Sequence, residues 1–149
     1  MFAAPSGADT LQGRVVAVTD GDTVKVLDAS RTEWKIRLMG IDAPEKKQAF
    51  GARSKSNLSD LVYGKTVIVE YSKKDRYGRT VGKILVNGVD ANLEQIKAGM
   101  GWHYKKYARE QPVADRETYA LAEERARAGQ RGLWGDAEPV PPWDWRKQK

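Results

Sequence analysis

Apolar and polar positions alternate through the first third of the chain and then change period. In Arg14-Val15-Val16-Ala17-Val18-Thr19 apolar side chains populate both faces of an extended run. Val24 and Val26 next alternate with Thr23, Lys25 and Leu27, and Trp34, Ile36 and Leu38 share one face opposite Glu33, Lys35 and Arg37. Asp20-Gly21 marks a hairpin turn between the first two runs. A helix is predicted over about 50–63, stopped before Gly64, and two more strands follow, Thr66–Tyr71 and Thr80–Val86, joined around Tyr77-Gly78. Asn87-Gly88 is another turn. A short helix starts after Asp90 as N-cap, turns Leu93 and Ile96 inward and stops near Gly99. The last helix begins at Pro112 or Val113 and ends before Gly129. Its alanines and Leu121 supply the apolar stripe, while Glu123, Glu124, Arg125 and Arg127 read as a solvated face.

Three strands, a helix, two strands and two helices predict an α+β fold: a five-stranded oligonucleotide-binding (OB-fold) β-barrel with three packed helices. Residues 1–12 read as an N-terminal extension, 13–134 as one domain, and 135–149 as a tail containing proline and tryptophan. Pro139 to Trp145 suits either a surface wrap or a partner-binding segment, and Trp134 and Trp102 suit packing roles.

A length of 149 residues fits one domain, and 40% hydrophobic with 31% charged residues describes a globular chain. No apolar run approaches the roughly 20 residues of a membrane-spanning helix, and Met1 to Gly7 lacks the charged and apolar regions of a signal peptide. There is no cysteine, which excludes disulfides, zinc–thiolate sites and cysteine nucleophiles. The net charge of +6 suits a polyanionic partner. Its distribution says more. Residues 1–45 carry 5 Lys+Arg against 7 Asp+Glu, residues 46–109 carry 14 against 5, and residues 110–149 carry 7 against 8. An acidic segment therefore precedes a strongly basic one, as a cation site beside a polyanion-binding surface requires.

Three segments carry candidate chemistry. In Asp20-Gly21-Asp22-Thr23 two carboxylates flank a glycine at a strand end; they suit a hard cation as well as an ordinary hairpin turn. In Arg37-Leu38-Met39-Gly40-Ile41-Asp42-Ala43-Pro44-Glu45, Arg37 points away from the apolar face of its strand as an exposed arginine, beside two carboxylates in a proline-stiffened loop. In Asp75-Arg76-Tyr77-Gly78-Arg79 an arginine follows a tight turn and can present a guanidinium to phosphate. Each segment also fits a bland charged loop. Lys73, Lys74, Lys105 and Lys106 fit a phosphate track or solvated lysines equally well. His103, the only histidine, reads as structural.

Taken together, Asp-Gly-Asp-Thr, Arg-Leu-x-x-Ile-Asp-x-Pro-Glu and Asp-x-Tyr-Gly-Arg stand in an order and spacing that resembles the staphylococcal nuclease (thermonuclease) family, from about Gly13 through Gly132-Leu133-Trp134. The resemblance implies a calcium-dependent nuclease that hydrolyses DNA and RNA with little sequence preference, leaving 3′-phosphate and 5′-hydroxyl ends. It implies Asp22 and Asp42 as carboxylate ligands of Ca2+, Ala43 as a ligand through its carbonyl where relatives often have threonine, Glu45 as the family's general base, and Arg37 and Arg79 on the phosphate. Tyr77 and Tyr104 are the expected substrate-wall tyrosines. The family, in which external degradation of nucleic acid is common, implies a secreted or periplasmic location; a monomer is expected, with no membrane partner and no obligate protein partner evident in the sequence. The alternative, a non-catalytic OB-fold module that binds single-stranded nucleic acid, expects substitutions among these carboxylates and arginines, and the sequence has none.

Overall fold

Two long strands, paired edge to edge, organise the barrel. The structure is a computed structural model describing residues 9–148, so the reading of Met1 to Gly7 lies outside the described residues. Strands β1 (Asp9–Asp20), β2 (Thr23–Asp28) and β3 (Glu33–Leu38) form a meander, followed by the short β4 (Ile41–Asp42) and helix α1 (Gly51–Val62). Strands β5 (Thr66–Lys74), β6 (Thr80–Val86) and the short β7 (Val89–Asp90) lead into α2 (Ala91–Lys97) and the short β8 (Trp102–His103). Helix α3 (Val113–Ala128) and a short α4 (Pro142–Lys147) complete the order, with short 3-10 segments at Lys105–Glu110 and Gly132–Gly135. β1 starts at Asp9 rather than Arg14 because Asp9–Arg14 pair antiparallel with Tyr71–Thr66 of β5.

The strand order β3-β2-β1-β5-β6 closes through a parallel β3–β6 pairing, Ile36 opposite Thr80 and Leu38 opposite Gly82. This is the predicted five-stranded OB-type barrel. Closure removes free sheet edges and turns Val15, Val24, Val26, Ile36, Leu38, Val67, Val69 and Ile84 into one core, with Leu58 and Val62 of α1 and Ile96 of α2 packed on it. Burying each such side chain stabilises the fold by ~1.5–3 kcal/mol relative to leaving it in water. Asp90 caps α2 as expected, its Oδ1 accepting the Leu93 N–H at 3.0 Å. Among the described residues no helix is long and apolar enough to cross a membrane.

Helix α3 corrects one expectation. Its buried stripe is Tyr119, Ala122, Glu123 and Ala126, at three- and four-residue spacing. That phase leaves Leu121 45% exposed and buries Glu123 to 4% exposure. A second core of Trp102, Ala126, Leu133 and Trp134 docks this helix, with Trp143 of the tail against it. The tail therefore wraps the surface, and its α4 is a helix beyond the three predicted.

Candidate active site

The β1–β2 turn and the β3–β4 loop meet at a pair of buried carboxylates. The hairpin turn consists of Gly21 and Asp22, with Asp20 paired to Thr23. Gly21 packs so closely on α1 that a Cβ there would overlap Ser54 Oγ and lie 2.9 Å from Ala43 Cβ. Its carbonyl accepts from Gln95 Nε2 of α2 at 2.8 Å. Ala43 in turn donates its backbone N–H to Asp22 Oδ2 at 2.8 Å, so turn and loop are tied directly. Gly40, at φ 84°, makes the bend between β3 and β4 and lies against Gln111. β4 pairs with β8, Ile41 opposite His103 and Asp42 opposite Trp102, which fixes the height of the Asp42 side chain.

Arg37 sits between the two carboxylates. Its Nη1 donates to the carbonyls of Leu38 (3.0 Å) and Ile41 (2.8 Å), and its Nη2 lies 3.2 Å from Asp42 Oδ1 and 3.4 Å from Asp22 Oδ2. It does leave the apolar face of β3, yet its side chain is only 12% exposed, so it is an embedded guanidinium rather than the exposed one expected. Burial pushes the Asp22 carboxyl up, but the Arg37 charge and hydrogen bonds from Asp20, Ala43 and Thr23 outweigh it and hold Asp22 below the ordinary range. Neighbouring Asp20 is pushed up to about 7 by burial and by the Asp22 charge. Burial also raises Asp42, against the Arg146 hydrogen bond and the Arg37 charge.

Glu45 follows Pro44 on the same loop. Its N–H donates to Gln48 Oε1 at 3.0 Å and its side chain is 30% exposed. Arg79 is held by Asp75, with Nε 2.7 Å from Oδ2, and its guanidinium lies over the Tyr77 ring at 5.4 Å. These groups line one open cleft of about 950 Å³, shared with Lys35, Lys73, Lys74, Arg76, Lys106, Tyr104 and Tyr107. Eight basic and six acidic side chains face it, so the cleft offers both signs of charge. The structure thus brings Asp20, Asp22, Arg37, Asp42, Glu45, Tyr77, Arg79 and Tyr104 together. Ala43 is buried beside them with its N–H engaged by Asp22. Of the four candidate track lysines, Lys105 turns away to His103 Nδ1 (2.8 Å) and Glu123 (3.3 Å).

Asp20, Asp22 and Asp42 bring carboxylate oxygens to one end of the cleft, and oxygen donors are what a hard divalent cation takes, so the chemistry of the donor set fits one. Among the described residues the acidic side chains do not converge as a ready cluster of three; guanidinium groups stand between them. One of these, Arg146 from α4, gave no signal in the sequence. It reaches Asp42 from 104 positions away, with Nη2 2.7 Å from Oδ2, and lies 3.7 Å from Glu45 Oε2.

The sequence model of the staphylococcal nuclease homologue family matches residues 35–136. The chain is 45% identical over 150 residues to an uncharacterized endonuclease of Escherichia coli O157:H7, covering 100% of this chain and 94% of that protein. It is 46% identical over 136 residues to an uncharacterized endonuclease of Haemophilus influenzae, covering 91% and 73% respectively. It is 39% identical over 152 residues to the micrococcal nuclease of Shigella flexneri, covering 96% and 84%. With the barrel closed as that fold requires and the paired motifs meeting in one cleft, the chain belongs to the staphylococcal nuclease family.

Proposed function

We propose that this protein is a calcium-dependent nuclease that hydrolyses phosphodiester bonds of DNA and RNA. The observation that carries the reading is the meeting of Asp22, Asp42, Glu45, Arg37 and Arg79 in one cleft that lysines and tyrosines also line. Asp22 and Asp42, with the Ala43 carbonyl, are the residues that would hold calcium, which when bound would neutralise phosphate charge and orient the attacking water.

The residues of the chain divide the remaining work. Arg37, already fixed by two carbonyls, and Arg79, fixed by Asp75, donate to the phosphoryl oxygens as charge develops there; one preorganised donor of this kind contributes on the order of 3–4 kcal/mol. Glu45, on a proline-stiffened loop at the cleft, accepts a proton from the water as its oxygen attacks phosphorus. The P–O5′ bond breaks and the departing O5′ takes a proton from solvent water, leaving 3′-phosphate and 5′-hydroxyl ends. Tyr77 and Tyr104 present ring faces to sugar or base. Lys73, Lys74 and Lys106 extend phosphate contact along the strand. Contacts of this kind read backbone rather than base edges, so sequence preference is weak and both DNA and RNA are accepted.

The test is degradation of end-labelled DNA and RNA in calcium, in chelator, and by Glu45→Gln in calcium. The reading expects cleavage only in calcium, a large loss in the variant and 3′-phosphate ends. Full cleavage in chelator, or wild-type rates in the variant, rejects it.

A further inference from the structure

The C-terminal segment crosses the cleft-facing loop and is fastened at three points. The carbonyl of Val140 accepts from Gln48 Nε2 at 2.6 Å, and Gln48 Oε1 accepts the Glu45 N–H at 3.0 Å. Trp143 lies parallel to Tyr104, centroids 5.5 Å apart with 5° between planes, and meets Trp102 edge-on at 5.4 Å. Arg146 closes the chain onto the site with two contacts to Asp42, at 2.7 and 3.2 Å, one to Glu45 at 3.7 Å and one to the Tyr104 hydroxyl at 3.4 Å.

We propose that residues 140–147 form a clasp in which Arg146 serves as the resident cation of Asp42 and Glu45, and that a divalent cation must displace it to bind. The proposal rests on the reading of Asp22 and Asp42 as the calcium-holding carboxylates. Two guanidinium groups occupy those oxygens, and they are not equivalent. Arg37 is embedded at 12% exposure and pinned by the Leu38 and Ile41 carbonyls. Arg146 is 37% exposed and sits on a short terminal helix. It covers both oxygens of Asp42. A divalent ion taking Asp42 directly would compete for those lone pairs and stand against a like charge, so Arg146 is the group that yields. Its departure releases a guanidinium into a cleft built for phosphate, and separates Trp143 from the ring face of Tyr104 that a base would use. The clasp therefore covers cation and base positions at once.

The competition has a definite size. A site open for a fraction f of the time binds with an apparent dissociation constant of Kd/f, so a clasp closed about nine-tenths of the time weakens calcium about tenfold. The experiment is calorimetric titration of the full-length protein with calcium chloride alone, without nucleic acid, in wild type, Arg146→Gln, Trp143→Ala and Asp42→Asn. Trp143→Ala matters because it loosens the clasp without changing charge; Trp143→Leu replaces it should that variant not fold. The expected result is calcium binding about tenfold tighter in Arg146→Gln, several-fold tighter in the Trp143 variant, and lost in Asp42→Asn. Amide hydrogen exchange over 140–147 should rise on adding calcium, as reciprocal coupling requires. Tightening in only one of the two clasp variants, or in neither, overturns the proposal while leaving the calcium site in place. Binding that survives Asp42→Asn, or no binding to any variant, overturns the site reading and the clasp together.

Discussion

Asp75 holds Arg79 twice, through the backbone and through the side chain. Its Oδ1 accepts the Arg79 N–H at 3.0 Å and its Oδ2 lies 2.7 Å from Arg79 Nε. Oδ1 also accepts the Tyr77 N–H at 2.9 Å, so one carboxylate shapes the turn and aims the guanidinium. Burial acts to raise this carboxyl, but the hydrogen bonds from Arg79 and Tyr77 outweigh it and keep the group ionised well into acid.

Asp75→Ala should therefore damage turnover more than folding. The pair sits at the surface, where ion pairs contribute about 0–1 kcal/mol to stability. Freeing Arg79 removes preorganisation instead, and misplacing such a donor costs on the order of tenfold or more in rate. Steady-state kinetics on a short DNA should show kcat/KM about tenfold lower, and a thermal melt should move only a few degrees. A melt that collapses, or unchanged kinetics, removes Asp75 from this role.

Gly21→Ala should destabilise the protein by about 1–3 kcal/mol, the usual cost of forcing extra volume into a packed place. The new methyl meets Ser54 of α1 and Ala43 of the carboxylate loop. Ser54 cannot move freely, because its hydroxyl donates to the Met100 carbonyl at 2.6 Å. Gly21→Ala with Ser54→Gly should cost less than the sum of the single changes, since the two sites touch. Denaturant unfolding of the four proteins measures the coupling; strict additivity would place the Gly21 constraint elsewhere.

The barrel was legible because its strands bury one face at a period of two and its helices carry cap and stop residues where the chain turns. Ile36 and Leu38 are buried and Arg37 is turned from them, as alternation requires. The motif residues were legible as a set because they lie on turns at the ends of those strands. What was missed depends on tertiary contact between distant segments. Gly21 looked like a turn glycine, yet its identity is demanded by Ser54. Arg37 looked exposed because strand alternation gives a side chain's face but not what covers it. Glu123 sits between charged neighbours in sequence, and only the arrival of the β8 backbone makes it a buried acceptor. Arg146 carries no local pattern at all, and its place on Asp42 follows from Trp143 docking on Trp102 and Tyr104.

Glu123→Ala should cost more than a surface change on a helix. The Glu123 carboxylate accepts the His103 N–H at 2.6 Å and stands within 3.4 Å of Lys105 and Arg127. Removing it leaves a buried N–H unpaired on the strand that holds Asp42, a loss of about 1–3 kcal/mol. Glu123→Gln keeps an acceptor and should recover most of that loss. Chemical denaturation compares the two, and equal stabilities would mean that the N–H finds another partner.

His103 gives a pH dependence with a fixed sign. Its ring is buried on β8, with Nε2 2.8 Å from Gln111 Oε1 and Nδ1 2.8 Å from Lys105 Nζ. The lysine can only donate, so Nδ1 accepts and the proton sits on Nε2, which donates to Gln111. Glu123 and the Tyr119 ring of α3 complete the surroundings, the ring centroid 6.0 Å away. Burial holds the imidazole below its ordinary value of 6.5, with the Lys105 charge acting the same way and the Gln111 hydrogen bond and the Glu123 charge acting against it. The unfolded chain therefore takes up its proton at higher pH than the folded protein does, so between the lowered folded value and 6.5 this group makes stability rise with pH, and above 6.5 its effect levels. The slope it adds is at most about 1.4 kcal/mol per pH unit. Asp20, up at about 7, titrates in the same interval with the opposite sign, since the folded state is the one that keeps its proton. Subtracting the profile of His103→Gln from that of wild type cancels Asp20 and leaves the histidine. Urea unfolding of both proteins from about pH 5 to about pH 7.5 should give a difference that grows with pH below 6.5 and is flat above it. A difference that is flat throughout, or that falls as pH rises, would show that His103 does not fold as the neutral ring between Lys105 and Gln111.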